Sequence, residues 1–272
     1  MTRPALPLLV AALALAACRT GAPSGPVRAA PPTRPVPASP TPASPTPTPP
    51  AAGSPAAAAP VLSNAAHWFR NAAEQRAAFL QAYRLAGDRV EALSASRAPG
   101  TWAVIVDADE TLLDNSQEQK ERELAGRSFT PEAWTAWVAR REARALPGSV
   151  PFLERVKALG GRIAVVTNRT TGECPDTQAN LRAEKLPFDV VLCKADGARG
   201  EKDTRFRQVQ DGTAAPGWAP AEVLVYVGDN IQDFPGLLQD VRDDPARLAL
   251  FGDRYIILPN PMYGSWERTE RR

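Results

Sequence analysis

His67 is the only histidine in this sequence. That scarcity argues against hydrolases built on a histidine nucleophile or a Ser–His–Asp triad, and His67 itself falls in a helix-like stretch away from every strand pattern, as a surface residue. Strong charge is also missing: 32 basic against 30 acidic residues leave a formal charge of +2, with no basic tract beyond the terminal Arg271–Arg272. Nothing here provides the positive face that a nucleic acid polymer requires. No internal repeat is present, and no apolar run reaches the roughly 20 residues needed to span a bilayer. Cysteine is limited to Cys18, Cys174 and Cys193.

What apolar sequence the N-terminus has is informative. Residues 1–18, "MTRPALPLLVAALALAAC", place one arginine before an apolar run of about a dozen residues, the proportions of a signal peptide. The run closes on "LAAC", which resembles a lipobox with Cys18 as the lipidated residue. Residues 19–60 form a Pro/Ala/Thr-rich tether holding 14 of the 28 prolines, a composition that buries no core and is expected to be disordered. The expectation is an exported protein, lipid-anchored to the bacterial cell envelope at the outer membrane, touching membrane through its anchor only. Export exposes Cys174 and Cys193 to oxidation. A disulfide and two unpaired buried thiols both remain open at this stage.

Residues 61–272 read as one folded domain. Helical periodicity covers 64–95, as one or two helices with Ser63 as cap, and 130–146, with Thr130 as cap and Pro131 in the first turn. Further helices are expected over 147–161, closed by Gly160, and over 175–186 and 202–212. Buried strands are expected at "TWAVIVDAD" (101–109), "RIAVVTNR" (162–169), "FDVVLCK" (188–194), "AEVLVYVGDN" (221–230) and "RYIILPN" (254–260). Alternating strands and helices predict an α/β fold: a mostly parallel sheet, helices on both faces.

In such a sheet, chemistry gathers at the carboxyl ends of the strands. Found there are Asp107 and Asp109 after the first strand, Thr167, Asn168 and Arg169 after the second, and Asp229 and Asp233 after the fourth; Lys202 opens the helix after the third. Four carboxylates around one crevice call for a hard divalent cation such as Mg2+. With a hydroxyl and a lysine added, the set describes a phosphoryl site. One aspartate can attack phosphorus and a second can move the proton.

"VIVDADETLLDN" and "VYVGDNIQDF" resemble the paired signature motifs of the bacterial class C acid phosphatases, four-aspartate lipoproteins of the haloacid dehalogenase superfamily. The similarity continues through "TPEAWTAWVARREARALPG", "EKDTRFRQV" and "ILPNPMYGSWE", covering residues 63–267. The resemblance implies a Rossmann-like core with a small helical cap and a magnesium-dependent phosphatase of small phosphomonoesters, nucleoside 5′-monophosphates among them. It implies Asp107 as nucleophile, Asp109 as general acid/base, and Thr167 and Lys202 as holders of the phosphoryl oxygens. Metal would be held by Asp107, the Asp109 backbone carbonyl and Asp229, with Asp233 in support. Asn168 and Arg169 are candidate substrate-binding residues, and Trp134 and Tyr263 match positions of a base-stacking pair; Trp137 and Trp266 read as core packing or a lid. The sequence departs from the signature at Glu118, where an aromatic residue is usual. A phosphotransferase, a sugar-phosphate phosphatase and a non-catalytic surface lipoprotein are the alternatives on the same core, and a monomer and a homo-oligomer both stay open.

Overall fold

Side chains along β1 (Trp102–Val106) divide between two apolar clusters: Trp102, Val104 and Val106 point into one, Ala103 and Ile105 into the other. A strand apolar on both faces must be covered on both. In the computed structural model, which describes residues 61–270, it is. On one face lie α2 (Ala73–Ser94) and α5 (Ser149–Ala158), through Phe79, Tyr83 and Val90 and through Phe152, Leu153 and Val156. The other face receives Phe206 and Val209 of α7 (Asp203–Asp211), together with Phe234 and Leu237. The expected signal peptide, Cys18 and the tether (1–60) lie outside the described residues.

Beside β1 stand β4 (Arg162–Thr170), β5 (Val190–Lys194), β6 (Glu222–Gly228) and β7 (Tyr255–Ile257), in the order β5-β4-β1-β6-β7, every neighbouring pair parallel. The chain runs from β1 outward to β5, then returns to the other side of β1 for β6 and β7. The order therefore reverses at β1, and Val106 is flanked by Val165 and Val227 at that reversal. A crevice at the carboxyl ends is the consequence.

Between β1 and β4 the chain inserts a small cap. β2 (Leu113–Asp114) pairs antiparallel with β3 (Arg144–Ala145), and between them stand α3 (Ser116–Leu124) and α4 (Pro131–Arg140). Thr130 caps α4 as expected, its hydroxyl accepting from the Ala133 amide at 3.2 Å. The helix expected across 130–146 stops early, because Arg141 takes a left-handed conformation (φ +56°) and frees the next residues to form β3. The 64–95 stretch, expected as one or two helices, is two, α1 (Asn64–Asn71) and α2, broken where Ala72 turns extended; Ser63 caps the first, as expected. Among the described residues, no helix is long and apolar enough to cross a membrane.

Candidate active site

Asp107 is the first residue beyond β1, its amide tied to the Val227 carbonyl at 3.0 Å. The chain then folds back at once: the amides of Leu112 and Leu113 both donate to the Ala108 carbonyl, and Glu110 adopts a left-handed conformation (φ +52°). This turn keeps Asp109 beside the strand end. Across the crevice, β6 ends in Gly228, where any Cβ would collide with the Asp233 side chain. Glycine thus lets Asp233 fold back onto the strand end, and its Oδ2 accepts from the Asn230 amide at 2.9 Å. From the third side comes Lys202, capping the start of α7.

Oxygens of Asp107, Asp229 and Asp233 all lie within 4.8 Å of one another. Lys202, buried, places its ammonium against Asp107 and 2.7 Å from Asp233 Oδ1. Burial pushes the Asp107 carboxyl up to about 7; Lys202 opposes this, and the charges of Asp233 and Asp109 add to it. Asp229 is also raised well above the usual carboxylate range, first by burial and then by Asp233 and Asp107. For Lys202, burial works against the charged form, yet Asp107 and Asp233 outweigh it and hold the ammonium above its usual range. Three crowded carboxylates facing one lysine leave a deficit of positive charge, and their hard oxygen donors fit a divalent cation. Both Asp229 oxygens are oriented from behind, Oδ1 by the Thr111 hydroxyl (3.3 Å) and Oδ2 by Asn260 Nδ2 (2.8 Å), as outer partners of a metal ligand usually are.

Asp109 stays outside that cluster of side chains and turns to Arg169. The guanidinium donates to its Oδ1 through Nε (2.9 Å) and Nη2 (2.7 Å). Arg169, expected as a substrate-binding group, is buried, with Nη1 on the Thr177 hydroxyl and Nη2 also on Asn115. Four of its five N–H donors are used within the protein. Asn168 is exposed, with its amide between the Gly200 carbonyl (3.0 Å) and Arg205 (2.6 Å), which ties the end of β4 to the loop carrying Lys202. Thr167 is fully buried, its hydroxyl accepting from the Arg169 amide at 3.1 Å.

Among the aromatics, Trp134 and Tyr263 are both partly buried against the cluster that holds Trp137. Of the two residues read as core packing or a lid, Trp137 is buried in the core, whereas Trp266 leaves 41% of its surface exposed. Glu118 pairs with Arg122 at 3.2 Å. The Arg122 guanidinium lies 6.0 Å from the ring of Phe129, which in turn packs 6.3 Å from Trp134. An aromatic surface beside Trp134 is therefore supplied by Phe129. His67 is exposed on α1, bonded to Asn71, and remote in role from this site.

Asn115, Asn260, Thr111 and Arg205 do not stand out in the sequence. Asn115 and Asn260 sit inside the motifs "DETLLDN" and "ILPNP", but nothing local distinguishes an amide that orients a carboxylate from one that caps a turn. Cys174 and Cys193 are joined as a disulfide, their Cα atoms 6.0 Å apart, linking the start of α6 (Cys174–Ala183) to β5.

The family described as HAD superfamily, subfamily IIIB (acid phosphatase) matches residues 51–266. Among solved structures, the class C acid phosphatase from Bacillus anthracis is 31% identical with a TM-score of 0.67, the match covering 75% of this chain and 85% of that one. A second structure of that protein, with tungstate bound, is 30% identical at the same TM-score and coverage. The carboxylate crevice, the parallel sheet that builds it and the match along most of the chain have one conclusion: this chain belongs to the class C acid phosphatases of the haloacid dehalogenase superfamily, enzymes that hydrolyse phosphomonoesters.

Proposed function

We propose that this acid phosphatase is magnesium-dependent, acts on nucleoside 5′-monophosphates and works through an aspartyl-phosphate on Asp107. The observation that carries this reading is the single ammonium of Lys202 set between Asp107 and Asp233, with Asp229 in the same cluster. Lys202 favours the ionised form of Asp107 against burial and leaves donor capacity for a phosphoryl oxygen. Thr167 offers its hydroxyl from the neighbouring strand end. Asp107 attacks phosphorus and the ester P–O bond breaks, while Asp109 gives its proton to the departing alkoxide. Asp109 then takes a proton from water as that water attacks the phosphoryl group, releasing phosphate and restoring both aspartates. Magnesium, held by Asp107, Asp229 and the Asp109 carbonyl with Asp233 in support, would supply positive charge to the phosphoryl oxygens. Tungstate, bound in a structure of the Bacillus anthracis relative, is an oxyanion of phosphate's shape, which supports a phosphoryl site.

Support for a nucleotide comes from aromatic surface. Trp134 and Phe129 form an adjoining pair, and Tyr263 buries a hydroxyl that finds no partner among the described residues. Flat rings stack on any base. The test is kcat/KM for nucleoside 5′-monophosphates against sugar phosphates, with and without magnesium, beside Asp107→Asn. Nucleotide preference, magnesium dependence and loss of turnover in Asp107→Asn are expected. Substantial turnover by that variant in metal-replete buffer would sink the aspartyl-phosphate. We propose also that the protein is exported and anchored through lipid on Cys18, on the strength of "LAAC" and the tether after it.

A further inference from the structure

The two oxygens of Asp109 are treated unequally. Oδ1 receives three donors: Nε and Nη2 of Arg169, at 2.9 and 2.7 Å, and Nδ2 of Asn115 at 2.9 Å. No donor among the described residues reaches Oδ2. Asn115 is in turn held in one orientation, because its Oδ1 accepts from the indole Nε1 of Trp137 (2.8 Å) and from Arg169 Nη2 (3.1 Å). An amide whose oxygen is claimed twice must turn its nitrogen the other way, here toward Asp109 and the buried Glu110. Trp137, Asn115 and Arg169 are all buried, where such bonds are strong and an unmade one is costly. Trp137 belongs to cap helix α4, and one turn earlier that helix carries Trp134, whose ring lies 5.6 Å from the Arg169 guanidinium carbon.

We infer that Arg169, Asn115 and Trp137 are positioning residues that pin Oδ1 of Asp109 and leave Oδ2 as the oxygen that passes the proton to the leaving group. The seat of α4 is thereby read at the acid through the indole N–H, and the helix that offers Trp134 to a substrate also aims the proton donor. The inference rests on Asp109 being the general acid. It assigns Arg169 to orientation of the acid, not to the substrate.

The test uses the purified folded enzyme with magnesium and two phosphate esters of similar shape and different leaving-group basicity: benzyl phosphate, whose alkoxide needs a proton, and 4-nitrophenyl phosphate, whose phenolate hardly does. kcat/KM reports phosphoryl transfer to the enzyme, the step in which the proton is given. In Trp137→Phe, which keeps an aromatic ring and loses the N–H, and in Arg169→Lys, benzyl phosphate should lose about tenfold to a hundredfold while 4-nitrophenyl phosphate changes by no more than about twofold. Partial unfolding would lower both substrates together, so their ratio separates aim from fold. Asp109→Asn is the control for the underlying reading. If Asp109→Asn discriminates between the esters and the other two variants do not, the positioning inference is overturned alone. If Asp109→Asn itself loses both equally, the acid assignment falls and takes the inference with it.

Discussion

Lys202 Nζ lies 2.7 Å from Oδ1 of Asp233 and also donates to Oδ1 of Asp107, so one ammonium joins the ends of two strands. Breaking a buried pair of this kind strands charges without a partner. Lys202→Met should therefore lower kcat/KM by about 10²–10³-fold and destabilise the metal-free domain by about 3 kcal/mol. Steady-state kinetics and urea unfolding check the two effects. A variant of unchanged activity would remove Lys202 from the phosphoryl site.

The Cys174–Cys193 bond joins α6 to β5 across a sequence separation of 19. Replacing both cysteines by serine should cost about 3 kcal/mol of stability, mainly by freeing the unfolded chain. Denaturant midpoints of oxidised and double-serine protein measure this. Counting thiols in denatured, unreduced residues 61–272 should find none; two reactive thiols would refute the bond.

Glu121 on α3 and Arg140 on α4 are joined by two hydrogen bonds, 2.6 and 3.1 Å. Arg140, then Gln117, lowers the Glu121 carboxyl from its usual 4.5 to about 2. A carboxyl lowered by folding adds stability above its unfolded pKa, and that stability is lost as pH falls through the folded value. Glu121→Gln should accordingly show a slightly lower Tm than the parent above about pH 4.5, with the difference shrinking as pH approaches 2. The effect is small and weakened by salt, because both groups are well exposed. A Tm gap that widened on acidification would contradict the sign.

If the proposed lipid sits on Cys18, Cys18→Ser in the full chain should abolish lipid attachment and leave the kinetics of the released enzyme unchanged, since 42 residues, 19–60, lie between Cys18 and the described domain. Detergent-phase partitioning and metabolic labelling with a fatty acid are the measurements. Continued partitioning of the variant into the lipid phase would defeat the anchor.

Much of the chemistry is legible in residue order alone. "AVIV" before Asp107, "RIAVV" before Thr167 and "EVLVYV" before Gly228-Asp229 are short β-branched apolar runs that read as buried strands, and the residue just past a buried parallel strand stands at its open end. The two capped helix starts, at Ser63 and Thr130, depend on a hydroxyl and an amide three residues on, which are local by nature. Tertiary structure decided the rest. Arg169, two residues past Thr167, reads as a substrate ligand in the sequence; that its guanidinium pairs with Asp109 follows only from the packing of β4 beside the turn after β1. Past Arg141, where α4 stops, the chain forms a two-residue pairing with Leu113–Asp114, about thirty residues away in sequence, that no periodicity announces. Trp266 shares its three-residue spacing from Tyr263 with the Trp134–Trp137 pair, yet it faces solvent while Trp137 reaches Asn115. Periodicity tells which residues share a face of an element. What that face meets, and which oxygen of a carboxylate is left free, depends on contacts between segments distant in the chain, and those exist only once the sheet has assembled.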